Sequence, residues 1–315
     1  MVWIVVPRPR EPRIHIMITP DHVATETEDL VSDHPADQLL AAIDRVGSPV
    51  CVGIDPVLER LPDDCLVQGE PLPSIERFCR GVVEAVAPHV GVCKYQSACF
   101  ERYGARGIEV LESNIDRARS LDLHVVLDAK RGDIGISNEH YAAAFHRTSA
   151  DWITLNGYLG IDSLRPYLAG GHGGFVLVRT SNPEGSALQS QSLMDGRSVA
   201  EAVADLVAQQ DDALLGDCGY SSLGVVVGAT QGQEHTRLRA HMPRQLFLVP
   251  GYGAQGAGLS DILDLFHADG LGALITASRS VIYAGGSEDS SWAAAVTDAA
   301  GSLADEIGRA VGMRS

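Results

Sequence analysis

Lysine is almost absent from this chain of 315 residues: Lys94 and Lys130 are the only two, and the rest of the 24 basic residues are arginines. The six cysteines, Cys51, Cys65, Cys79, Cys93, Cys99 and Cys218, form no CxxC pair and no zinc spacing. That argues against a disulfide framework or a structural zinc site, and for reduced core thiols in a cytoplasmic protein. The eleven histidines include no HxH and no HExxH, so no metal centre built on histidine is expected. No apolar run approaches the roughly 18 residues of a membrane span. With 41 acidic residues and a net charge of −17, the chain has no broad basic field for nucleic acid or an anionic membrane. What remains is an ordinary globular composition, 45% hydrophobic and 21% charged, which excludes wholesale disorder. The length suffices for one large core.

The two lysines carry more information than the charge total. An arginine bias explains most of the skew but not why two positions escape it. Lysine is a compact point charge that can give up a proton, whereas arginine effectively cannot. Lys94 and Lys130 are therefore the first places to look for chemistry.

Residues 1–34 differ from the rest, with Arg8, Arg10 and Arg13 among prolines, followed by a run of acids. The apolar start is too short for a signal peptide and has no basic region before it. A flexible or peripheral extension is expected here, with Met17 an alternative start, and a catalytic domain over 35–315. From residue 35 a rhythm sets in, of short apolar runs, Gly- or Pro-marked breaks and longer helical patterns. The runs lie at 49–54, 89–95, 123–130, 151–156, 174–180, 223–230, 245–251 and 271–278. Between them, helices are expected at 74–88, 105–120, 137–148, 198–215, 233–241 and 258–268, with a last one at 291–311. Strands apolar on both faces that alternate with helices point to a buried parallel sheet. Eight such units predict an α/β fold, a single-domain (β/α)8 TIM barrel. The first strand is followed by GIDP rather than GxGxxG, which argues against an open dinucleotide-binding sheet.

In such a barrel, catalytic side chains sit at the carboxyl ends of strands, and phosphate binds after strands seven and eight. Asp55 ends the first run, Lys94 the second, and Asp128 and Lys130 the third. DAKRGDIG (128–135) is the sharpest motif. Asp128 and Lys130, two apart on a strand, point to the same side, and Asp133 offers a second carboxylate from the following loop. With Lys94 they form an alternating array in which each charge is partly paired. On spacing alone, the same array could be an ion-pair network that only closes the barrel mouth. GYGAQGAG (251–258) offers a glycine loop around Gln255 that can approach an anion, and Arg279 follows the eighth run with a fork suited to phosphate. RTSNPEG (179–185) presents Ser181 and Asn182, either to read a heterocycle or to begin a turn.

GIDP, KYQSACFERYG, DAKRGDIGISNEHYA, DSLRP, GFVLVRTSNPEG, VVVGAT and LVPGYGAQG, in this order, resemble the orotidine 5′-phosphate decarboxylase family, in its bacterial branch carrying DAKRGDIG. The resemblance runs from about residue 37 to 311. It implies conversion of orotidine 5′-monophosphate to UMP and CO2, the last step of pyrimidine synthesis, with neither metal nor organic cofactor. By motif position, Lys130 would protonate C6, Asp128 would lie against the departing carboxylate, and Lys94 and Asp55 would contact the ribose. Ser181 would read the pyrimidine, while Gln255 and Arg279 would hold the phosphate. Asp133 and Ser137 would reach the partner's site in a homodimer. Two rival readings follow from the same residues. One is a Mg2+-dependent sugar-phosphate decarboxylase or aldolase of the same superfamily; such enzymes carry an acid where this chain has Lys94. The other is an inactive nucleotide-binding regulator, which would have no need of the proton donor.

Overall fold

The computed structural model describes residues 32–210, 212–253, 256–285 and 292–314. Nearly all of the expected 1–34 extension lies outside the described residues. The first helix, α1 (Pro35–Val46), has proline at its amino end and His34 as its cap: Nδ1 of His34 accepts from Ala36 N–H. Gly47 ends it in the left-handed conformation (φ 62°), where a residue without Cβ is favoured.

Eight parallel strands follow: β1 (Val50–Ile54), β2 (Val92–Gln96), β3 (His124–Arg131), β4 (Trp152–Leu155), β5 (Gly173–Arg179), β6 (Leu223–Val227), β7 (Phe247–Pro250) and β8 (Ala273–Ala277). Each pairs with its sequence neighbours and β8 returns to β1, closing the barrel. Every strand falls on one of the expected apolar runs. Helices Pro71–Val86, Ala105–Arg119, Gly135–His146, Gly232–His241 and Trp292–Ala310 also lie close to expectation. Helix Val199–Ala208 is shorter than the expected 198–215; a capping box between Ser198 and Glu201 fixes its start.

The helix expected at 258–268 is absent. In its place stand two 3-10 turns, Leu259–Asp261 and Leu263–Leu265. Asp261 folds its carboxylate back onto Gly258 N–H at 2.8 Å, and the i→i+3 bonds that follow never open into an α-helix. The thiol expectation holds for four cysteines. Cys51, Cys65, Cys79 and Cys93 are buried, whereas Cys99 is half-buried and Cys218 exposed; all six are free. Cys218 lies in a surface turn held by its own N–H, which donates to the Asp37 carboxylate at 2.8 Å.

Two packed layers set up the site. Outward-facing strand residues such as Val52, Tyr95 and Ile153 pack with Phe78, Ile115 and Val296 of the surrounding helices. Inside the barrel, Cys51, Val92, Val126, Trp152, Phe175 and Leu274 form an apolar floor, against which α1 packs Ala36, Leu39, Leu40 and Ile43. Because side chains alternate along a strand, the next inward positions toward the carboxyl ends are Gly53, Lys94, Asp128, Thr154 and Thr276. The apolar plug thus ends where the charged layer begins.

Candidate active site

A cavity of about 340 Å³ opens at the carboxyl ends of the strands, and its charged lining residues are Asp55, Lys94, Asp128, Lys130 and Arg279. Lys94 is 5% exposed and Asp128 7%. The Lys94 ammonium donates to Asp128 Oδ2 at 2.9 Å and stands 3.7 Å from Asp55 Oδ1. Lys130 Nζ meets the other oxygen, Asp128 Oδ1, at 2.5 Å, while its side chain stays half exposed to the cavity. Gln96 Nε2 (3.2 Å) and Thr154 Oγ1 (2.8 Å) complete the donors around Asp128.

The protonation states follow from this geometry. Burial alone would raise the Asp128 pKa, but the Lys94 and Lys130 ammoniums and their hydrogen bonds override it and hold the carboxyl well below the usual range. Burial would likewise discharge Lys94. The Asp55 and Asp128 carboxylates reverse that and hold it above the ordinary lysine value. The site is therefore a fixed ammonium–carboxylate–ammonium array. Asp55 Oδ1 is buried without a hydrogen-bond partner and faces the Lys94 ammonium at 3.7 Å.

Asp133 and Ser137 lie outside the cavity of their own chain. The Asp133 carboxylate accepts from Ile134 N–H at 2.8 Å, and the Asp133 N–H donates to Asn138 Oδ1. The chain turns away at Gly132, where a Cβ would come within 2.3 Å of Asn156 O. Within one chain the array is thus closed by Asp55 rather than by Asp133. Ser137 sits exposed in the first turn of Gly135–His146, also away from the cavity. Asp128 and Lys130 do share the cavity, but not through regular strand alternation, because Lys130 adopts φ 48°.

The rest of the lining includes Thr180, Ser181 and Asn182 after β5, Gly251 and Tyr252 after β7, and Ser278 and Arg279 after β8. Gln255 lies outside the described residues. Gly251 (φ 101°), Gly253 (φ 67°) and Gly256 (φ 90°) hold backbone conformations that side chains with a Cβ rarely adopt, which explains the density of glycine in this loop.

Four contributors escape sequence reasoning. Thr154 and Gln96 look like routine strand residues until the strand register puts them beside Asp128. Arg179 is hidden among the many arginines; buried at the end of β5, it binds Ser186, Gln189, Gln231 and Glu234 and so shapes the 180–190 segment that carries Ser181. Tyr283 ties the β1 loop to the turn after β8: its hydroxyl accepts from Val57 N–H at 2.7 Å and donates to Asp55 O at 3.3 Å. A strand-end charge such as Arg179 was the one available signal.

Fold and cavity together define a (β/α)8-barrel enzyme whose charged groups gather at the carboxyl face. Residues 48–294 match the model of the orotidine 5′-phosphate decarboxylase / HUMPS family. The orotidine 5′-phosphate decarboxylase of Rhodopirellula baltica is 39% identical over 277 residues, covering 82% of this chain and 91% of its own length. That of Deinococcus radiodurans is 41% identical over 271 residues, covering 84% and 93%. The solved structure of the Leishmania donovani OMP decarboxylase superposes with a TM-score of 0.72 at 31% identity, covering 89% of this chain and 99% of that one. The chain belongs to the orotidine 5′-phosphate decarboxylase / HUMPS family.

Proposed function

We propose that this enzyme decarboxylates orotidine 5′-monophosphate to UMP and CO2, using no metal and no organic cofactor. The observation that carries the reading is the Lys94–Asp128–Lys130 array, fixed on two neighbouring strands of one cavity that also presents Ser181 and Arg279. Loss of CO2 from C6 leaves a carbanion with little resonance help, so the barrier falls only if charge is stabilised as it develops. An ammonium already held in place does this without reorganisation. Lys130 is the member of the array open to the cavity, and it protonates C6 as the bond to carbon dioxide breaks. Asp128 lies against the departing carboxylate and keeps Lys130 aimed. Lys94 and Asp55 contact the ribose, Ser181 reads the pyrimidine edge, and Arg279 with the 251–258 loop, Gln255 included, holds the phosphate.

One lysine contact falls short of the whole effect. Enzymes commonly lower barriers by ~8–23 kcal/mol, whereas loss of one well-placed donor costs about 3–4 kcal/mol. The remainder is assigned to the remote phosphate, whose binding energy holds the base against the array.

The sites are completed across a homodimer, in which Asp133 and Ser137 reach the partner's cavity. Their position outside their own cavity supports this, as do the exposed Ile134 and Ile136 (60% and 69%) beside them. Six free thiols fit a reducing cytoplasm, and residues 35–315 form the catalytic unit, with 1–34 as an appendage.

The Mg2+-dependent rival needs a cation between the carboxylates, where Lys94 Nζ already stands between Asp55 and Asp128. An ultraviolet assay of orotidine 5′-monophosphate, run with and without chelator, tests the reading. Loss of substrate at equal rates in both is expected. Tight UMP binding without turnover would favour the regulator, and activity abolished by chelator would favour the metal-dependent rival.

A further inference from the structure

β3 does not run evenly beside β4. Leu127 pairs with Ile153 and Arg131 with Leu155, so Asp128, Ala129 and Lys130 together lie opposite Thr154 alone. Such a surplus is a bulge, and bulges beside active sites re-aim side chains. Lys130 absorbs it in the left-handed region; with Asp122, it is one of only two non-glycine residues there among the described residues. That conformation is strained for a residue with a Cβ and persists only where its surroundings hold it.

The restraint is visible. Lys130 N–H, removed from the regular ladder, donates to Thr154 Oγ1 at 2.9 Å. The same hydroxyl donates to Asp128 Oδ1 at 2.8 Å, the oxygen that Lys130 Nζ contacts at 2.5 Å. Thr154 is 1% exposed, so water has no ready access to replace it. One hydroxyl therefore spans the backbone of Lys130 and the carboxylate that orients its side chain.

We propose that Thr154 is a positioning residue for the decarboxylation: its hydroxyl locks the β3 bulge and so fixes the Lys130 ammonium relative to Asp128. This inference rests on the function proposed above. Both hydrogen bonds of the Thr154 hydroxyl go to the array, so its effect falls on the chemical step.

Three proteins test it in steady-state turnover of orotidine 5′-monophosphate: the wild type, Thr154→Val and Thr154→Ser. A hydrogen bond to a charged group corresponds to about 10- to 100-fold. T154V, nearly isosteric, is expected to lose that much in kcat with KM within about threefold of wild type. T154S, which keeps the hydroxyl, is expected to stay within about threefold in both. If T154V does not fold, Thr154→Cys, close to serine in shape but a poor donor, takes its place and is expected to show the same loss relative to T154S. A valine or cysteine variant as fast as T154S, or one whose loss falls in KM alone, would overturn the inference and leave the proposed function standing. An inactive wild type would overturn both.

Discussion

Replacing Arg179 by methionine removes a charge from one of the most buried polar positions in the barrel, since its side chain is 2% exposed. Its Nε reaches both oxygens of Glu234 at 3.2 and 3.1 Å, and its Nη2 reaches Gln231 Oε1 at 2.7 Å and Ser186 Oγ at 3.0 Å. Breaking a buried ion pair from one side costs about 3–5 kcal/mol, because the partner is left charged and dry. Here the lower end applies: Glu234 is 21% exposed and can turn toward water, and Gln189 Oε1 keeps its bond from Thr180 N–H. For the unit Ser32–Ser315, an unfolding entropy of ~2.1 cal/mol/K per residue gives roughly 0.6 kcal/mol/K. A loss of about 3 kcal/mol then lowers Tm by about 5 °C. Thermal unfolding by calorimetry or circular dichroism measures this directly. The double variant R179M/E234M should recover at least half of the loss, since apolar replacement of both partners restores packing without a stranded charge. An R179M midpoint within 1 °C of wild type, or a double variant worse than R179M, would refute the assignment of the energy to this ion pair.

Three further outcomes are expected. Lys130→Ala and Asp133→Ala should each be inactive as homodimers, and mixing them should restore turnover through hybrid dimers carrying one intact site; no recovery, with subunit exchange demonstrated, would remove the shared site. Arg279→Ala should lower kcat/KM for orotidine 5′-monophosphate far more than for orotidine, by about 100-fold or more if the guanidinium makes a paired contact with phosphate; equal losses on both substrates would separate Arg279 from the phosphate. Burial would raise the Asp37 pKa, but hydrogen bonds from Cys218, Ser32 and Asp217 bring it down to about 2. A carboxylate depressed in the folded state adds stability above its unfolded pKa and loses it as pH falls toward the folded value, so Asp37→Ala should cost about 1 kcal/mol at pH 7, after solvent screening. Urea unfolding should show that difference vanishing between pH 4 and pH 2, and a difference that grows on acidification would contradict the sign.

The eight strands could be read from the chain because each is buried on both faces, and a both-face apolar run is a local property. Asp55, Lys94, Asp128 and Lys130 were legible for a related reason: charges at the carboxyl end of such runs have nowhere to go but the barrel mouth. The features that were missed depend on distant residues. Thr154 acquires its meaning only from the register of β4 against a bulged β3. Tyr283 matters because its hydroxyl meets the β1 loop more than two hundred residues earlier in the chain. The 258–268 segment has helical periodicity, yet the Asp261 bond to Gly258 traps it in 3-10 turns. That Asp133 leaves the cavity of its own chain is not legible either, because spacing carries no information about where Gly132 turns the chain.

An acidic chain that handles an anion has to solve its electrostatics locally. Of the charged groups lining the cavity, three are cations and two are carboxylates, against −17 for the whole protein. The two carboxylates are not free to repel a ligand from a distance, because Asp128 is already bonded to both lysines and Asp55 leans on Lys94. In the free site Asp128 is held ionised by the same ammoniums, so its charge is already balanced before any anion arrives. Arginine could not replace Lys130 in this geometry. Its broad fork would bind Asp128 with two donors and hold its proton too tightly to serve as the proton donor proposed for Lys130.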